Sequence, residues 1–255
     1  MNPRMDVGKV VYGAFMLPWL ERKSFARALS LPVFLLCSLT LCSHYLKGLA
    51  PYPLLVVLFI AYWLVFVWFA VTCHRLVLLD PARIAKRWQL RWSPRETRFL
   101  GWLIGLALIS LMVIWPLTTI LGIVMLNVDN FSGDVRLNLS TEVRPGWLRW
   151  TLWASYAVAL YLFGRLCVVF PATALDRKVN LQWAWRLTRG NGSRLFAVVA
   201  VLPWLMSFLL DFAYRDDATT VEAIVITFVG IALLPVELAA VSLSYRELST
   251  DETSL

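Results

Sequence analysis

From Pro171 to Phe196 the sequence reads PATALDRKVNLQWAWRLTRGNGSRLF. It is the most patterned part of the chain, a basic amphipathic segment held between two apolar runs. Leu181, Ala184, Trp185 and Thr188 recur at i, i+3, i+4, i+7, the spacing of one helix face, while Gln182, Arg186 and Arg189 share another. Asn180 is placed to cap this helix and Gly190 to end it. A helix of this kind lies in the headgroup layer, with Trp at the interface and Arg toward lipid phosphate. Asp176, Arg177, Trp185, Arg186, Arg189 and Asn191 are the residues that would meet anionic headgroups or a protein partner. The plainer reading of the same segment is an ordinary basic connector between two membrane spans.

The chain around it is apolar. Of 255 residues 60% are hydrophobic and 16% charged, with thirteen Trp; a soluble domain carries about 25% charged residues. Six runs approach the roughly 20 residues needed to span a bilayer core: Leu29–Leu46, Pro53–Leu76, Phe99–Leu126, Leu148–Pro171, Leu195–Tyr214 and Val221–Ser244. The first is short and interrupted by Ser38, Thr40, Ser43 and His44. The expected fold is therefore an all-α polytopic membrane protein with six transmembrane helices. An interfacial segment at 1–28 precedes a membrane domain at 29–244, and a cytoplasmic tail follows at 245–255. Pro18 is expected to break the first segment, and no cleavable signal pattern precedes the first run.

Helix-start signals sharpen the boundaries. Ser93-Pro94-Arg95-Glu96 is a capping box with Pro at the first helical position. Thr219-Thr220-Val221-Glu222 has the same spacing, and Ser193 is a candidate cap after Gly192. The stretch from Asn127 to Gly146 alternates around Ser132-Gly133-Asp134 and predicts a small hairpin, with Leu126 and Val128 before the turn. Gly101 and Gly105 form a G-x-x-x-G step that permits close helix approach, within the monomer or between copies.

Basic residues set the orientation. Eighteen Lys and Arg fall on one face: five in the N-terminal segment, seven between spans two and three, five between spans four and five, and Arg246. The other face holds Lys47, Arg136, Arg144 and Arg215, with Arg149 at its border, beside seven of the sixteen acidic residues. Both termini are expected in the cytoplasm. This placement also accounts for the net charge of +8 without nucleic acid.

The connector Leu78–Leu100 parallels the key segment. Leu79-Asp80 and Leu175-Asp176 each end an apolar run, and Arg98-Phe99 and Arg194-Leu195 each open the next. Both intervals are basic and carry Trp, which reads either as a parallel internal repeat or as two ordinary basic loops. The run L-D-R followed by L-x-x-A-W-R-L-T-R-G-N-G-x-R-L-F, here Leu175 to Phe196, resembles a group of uncharacterised bacterial integral membrane proteins. More distantly it is similar to the membrane domain attached to some glycerophosphodiester phosphodiesterases. The resemblance implies a bacterial inner-membrane protein and brings no catalytic residue with it.

Two ionisable residues fall inside predicted spans, Arg165 in the fourth and Glu237 in the sixth. Each such charge costs about 2.5–3.5 kcal/mol at a helix centre on insertion scales. Their similar depths predict an ion pair, with Pro235 opening the helix nearby. Enzymatic signatures are lacking: His44 and His74 fall at opposite faces, and no G-x-S-x-G, H-E-x-x-H or Walker A motif occurs. The four cysteines show no C-x-x-C spacing, and no cofactor is expected. The leading expectation is a non-enzymatic inner-membrane protein of envelope or lipid-associated assembly that contacts anionic lipid. The alternative is a solute or lipid transporter working around Arg165 and Glu237.

Overall fold

A computed structural model describes residues 4–46, 49–79, 92–131, 146–213 and 220–250. These form α1 (Val7–Leu20), α2 (Arg22–Leu46), α3 (Tyr52–Leu78), α4 (Pro94–Phe131), α5 (Gly146–Leu166), α6 (Val169–Ala174), α7 (Leu181–Leu187), α8 (Gly192–Phe196), α9 (Leu202–Ala213) and α10 (Thr220–Ser249). No strand occurs among the described residues. Among the described residues five helices are long and apolar enough to cross a membrane, and six when a bent pair in the α7–α9 region counts as one span. The chain is an all-α polytopic membrane protein.

Prolines explain where these helices break and where they do not. Pro171 cannot donate to Cys167 O, and its ring crowds that carbonyl. The fourth span accordingly breaks at Cys167–Val168 and resumes as α6. In the fifth span, Pro203 removes the bond to Val199. Just before it Ala197–Val201 is a π-helix, in which the Leu202 N–H reaches Ala197 O. Pro18, by contrast, does not end α1; the interruption falls at Glu21. The hydrogen-bond ladder even continues across that joint, from Glu21 N to Leu17 O at 2.9 Å and from Phe25 N to Glu21 O at 3.0 Å. Proline has a helical φ and forfeits one donor, so helical neighbours can carry it.

Several predicted boundaries move. The first span starts at Arg22, so its weak apolar run gains a full helical lead-in. The Ser93 cap holds: its N–H donates to Glu96 Oε2 at 2.8 Å, and its hydroxyl also bonds that carboxylate. Asn191, not Ser193, is the residue before α8, so Ser193 lies inside a helix. Leu126 and Val128 belong to α4 rather than to a hairpin; the predicted turn lies outside the described residues, as does Thr219. Gly101 and Gly105 meet open space rather than another helix. The predicted tail begins as the last turn of α10, with Tyr245 and Leu248 buried.

Packing is lopsided. The first half of α3 exposes Leu54, Val57, Phe59 and Leu64, whereas Phe69, Ala70, Cys73 and Leu76 are fully buried. The stretch from Val168 to Ala174, Ala239 and Ala240 of α10, and Leu195 of α8 are buried with them. The core thus gathers at the end of the bundle where the basic residues lie, and the outer halves present apolar side chains as lipid-facing helices do. α1 closes this end. It packs along the last turns of α10, burying Val10 and Ala14, and a Cβ on Gly13 would stand 3.0 Å from Leu243 Cδ1.

Candidate functional site

The key segment forms a short helix set across the bundle. Asn180 caps α7 by accepting the Trp183 N–H at 2.8 Å. Ala184, Leu187 and Thr188 turn inward and are buried, while Gln182, Arg186 and Arg189 are exposed. α7 meets the following helix Gly192–Phe208 at 104°, so the two cannot form one straight crossing. Gly190 makes the corner with φ of 84°, a conformation that favours glycine. Gly192 serves a different purpose: a Cβ there would lie 2.6 Å from the Tyr161 hydroxyl. G-N-G therefore combines one glycine for backbone conformation with one for close approach.

Arg165 holds α7 from beneath. Its Nε donates to Thr188 Oγ1 at 3.2 Å and its Nη2 to Trp185 O at 2.9 Å. Its Cζ stands 3.5 Å from the centre of the Trp185 ring. A buried guanidinium is tolerable when its donors are met and an aromatic face covers it. The predicted ion pair with Glu237 is not formed among the described residues. Equal depth does not make two residues neighbours: α5, which carries Arg165, packs against α4, α7 and α8 rather than along α10, which carries Glu237. Glu237 lies half-buried on α10, and the nearby Pro235 carbonyl accepts from Cys73 Sγ at 3.8 Å.

Asp176 gathers arginines from two other elements. Its carboxylate accepts from Arg95 Nη1 at 2.9 Å and Arg98 Nη2 at 3.0 Å, and stands 3.8 Å from Arg75 Nη1. Arg75 also donates to Ala174 O at 3.0 Å. Asp176 has φ of 63°, a left-handed conformation that Asp accepts better than most residues. The two basic connectors thus meet at one carboxylate. The sequence held a signal for this, since Arg95 and Arg98 lie three apart on one helix face. Asp80, Trp88 and the rest of 80–91 lie outside the described residues, so the matching half of the suspected repeat is not visible.

Asn191 is fully buried and has a task of its own. Its Oδ1 accepts the Met5 N–H at 2.9 Å, and Arg194 Nη1 donates to Met5 O at 2.7 Å. The Asp6 N–H reaches Glu247 Oε1 at 3.1 Å. The chain ahead of α1 is thereby pinned to α8 and to the end of α10. Among the remaining predicted surface residues, Arg177 and Trp185 are exposed, with Arg177 Cζ 5.9 Å from the Tyr245 ring.

A second polar contact ties α3 to α10. Ser242 Oγ donates to Leu238 O at 2.8 Å and lies 2.7 Å from His74 Nδ1. The hydroxyl can donate to only one of these partners, so the contact with His74 is satisfied in full when the imidazole proton is on Nδ1. His74 is fully buried within this packing. No cluster of three potential metal ligands occurs among the described residues. Comparison with protein families, with curated proteins and with solved structures returned no match.

Proposed function

We propose that this is a non-enzymatic inner-membrane protein, with both termini in the cytoplasm, that engages anionic lipid headgroups in an envelope or lipid-associated assembly. The observation that carries this reading is α7. Its apolar face and Arg165 fix it across the bundle, while Gln182, Arg186 and Arg189 stay exposed at the basic end. A rigid helix lying crosswise with Arg outward offers donors to phosphate without a large ordering cost. Asp176 and Asn191 support the ledge by holding the connectors and the N-terminal segment. Arg177, Trp185, Arg186 and Arg189 form its working surface. The transporter reading rested on the Arg165–Glu237 pair, and Arg165 is committed to α7.

The test is lipid retention. Protein released from nanodiscs of mixed anionic and zwitterionic lipid is weighed by native mass spectrometry, wild type beside Arg186→Ala with Arg189→Ala. Loss of bound anionic lipid in the double variant, with the fold intact by circular dichroism, supports the reading. Equal retention in both proteins defeats it.

A further inference from the structure

A second lipid-sized feature lies away from α7. α1, α2 and α10 enclose an apolar groove of about 500 Å³, lined by Pro18 of α1, by Ala26, Ser30 and Cys37 of α2, and by Phe228 and Pro235 of α10. Along α2 the lining runs from Phe25 to Cys37, about 18 Å at 1.5 Å per residue. That is close to the depth of one leaflet of a hydrocarbon core about 30 Å thick. Apart from the Ser30 hydroxyl and the Cys37 thiol, the side chains of the lining are apolar.

The mouth of the groove has the opposite chemistry. Arg22 and Lys23 precede Ala26 by four and three residues, so they continue the groove-facing stripe of α2 by one turn. Both are exposed, as is Arg27. The Arg22 guanidinium stands 5.7 Å from the centre of the Trp19 ring, and Trp19 is itself exposed, as an interfacial Trp is. The carboxylate of the adjacent residue, Glu21, accepts from Ser24 Oγ at 3.4 Å.

We infer that this groove holds one acyl chain of an anionic phospholipid whose phosphate is bound at Arg22, Lys23 and Arg27. An apolar slot of leaflet depth that opens beside three cations matches a phospholipid at both ends. A second copy of this chain fits poorly, because a symmetric contact at the groove would set these cations against their own counterparts. The site is separate from α7 and does not depend on the reading of that helix.

The test uses the full chain in vesicles of equal phosphatidylglycerol and phosphatidylethanolamine, each in turn carrying a photoreactive group on its acyl chain. Adducts are mapped by peptide mass spectrometry. The expected result is several-fold more phosphatidylglycerol than phosphatidylethanolamine adducts on the peptides around Ala26–Cys37 and Phe228–Pro235. Arg22→Gln and Lys23→Gln, both on exposed side chains, are each expected to reduce that preference roughly fivefold. Ser30→Phe, which fills the slot, is expected to abolish the adducts there. Arg186→Ala is expected to leave them unchanged, so failure at α7 and failure at the groove are read separately. Equal labelling by the two lipids, labelling spread evenly over all spans, or chain-to-chain crosslinks at the groove would each overturn the inference.

Discussion

Replacing Thr188 by Val removes one acceptor from the buried Arg165 guanidinium while keeping side-chain volume. A hydrogen bond to a charged group contributes about 1.5–3 kcal/mol, and a buried charge that loses a partner feels the upper part of that range. Thr188 also donates to Ala184 O at 2.9 Å, a helical back-bond of little net worth. The expected destabilisation of Thr188→Val is therefore about 2 kcal/mol. Once Arg165→Leu has removed the charge, the same change should cost well under about 1 kcal/mol, because only the back-bond remains. The difference, a coupling of about 1.5 kcal/mol, measures the contact between Arg165 Nε and Thr188 Oγ1 seen at 3.2 Å.

A parallel cycle pairs Arg165→Leu with Glu237→Gln. Those two side chains form no ion pair among the described residues, so their coupling should stay below about 0.5 kcal/mol. The assay is unfolding in mixed micelles titrated with dodecyl sulfate, followed by circular dichroism, with all variants in one detergent. A coupling above about 1 kcal/mol between Arg165 and Glu237, with none between Arg165 and Thr188, would refute the geometry and return the intramembrane pair.

Asp176→Asn keeps a residue that tolerates φ of 63° but removes the carboxylate shared by three arginines, of which Arg95 retains Glu96 at 3.3 Å. Because Asp176 is 52% exposed, each lost contact is discounted toward surface values, giving about 1–2 kcal/mol in all; the same unfolding assay reads it, with the loss shrinking at high salt. Gly192→Ala should destabilise by about 1–3 kcal/mol through contact with Tyr161. Tyr161→Phe should restore only part of this, since the ring carbon Cζ still lies 3.0 Å from the new methyl. Asn191→Ala strands the buried Met5 N–H, costing about 1–3 kcal/mol, and faster hydrogen exchange through Met5–Val10 should accompany it.

Span positions were legible because a long apolar run must become a helix once its backbone is in lipid. The Ser93 capping box and the Asn180 cap were legible for the same local reason: both are hydrogen bonds within one turn. What the sequence hid was which helices become neighbours. Arg165 and Glu237 matched in depth, yet α5 packs against α4, α7 and α8 rather than along α10, and the guanidinium finds Thr188. Long-range contacts were hidden as well. Nothing local to Asn191 says that it will accept from Met5, 186 residues earlier, because that contact depends on α1 packing against α10. The Gly190 and Gly192 pair was visible as a motif, but its two separate causes need the positions of Tyr161 and the backbone.

The clustering of the core at the basic end has a mechanical consequence. Arg165 secures α7, Asp176 joins the two connectors, and Asn191 with Arg194 grips Met5, so the proposed headgroup surface is among the best-held parts of the chain. The outer halves of the spans have little protein around them and take their order from lipid. α1 links the two proposed lipid sites: its approach is pinned beside Asn191, and its far end supplies Pro18 at the groove. A ligand that enters the groove without moving α1 does nothing at α7. One that separates α1 from α10 must act against the Met5 and Glu247 contacts, and its effect on α7 is bounded by its preference for the separated state. Coupling between the two proposed sites would therefore depend on how α1 is seated, and Asn191→Ala is the change that would weaken it without altering a side chain of the groove lining or of the exposed α7 face.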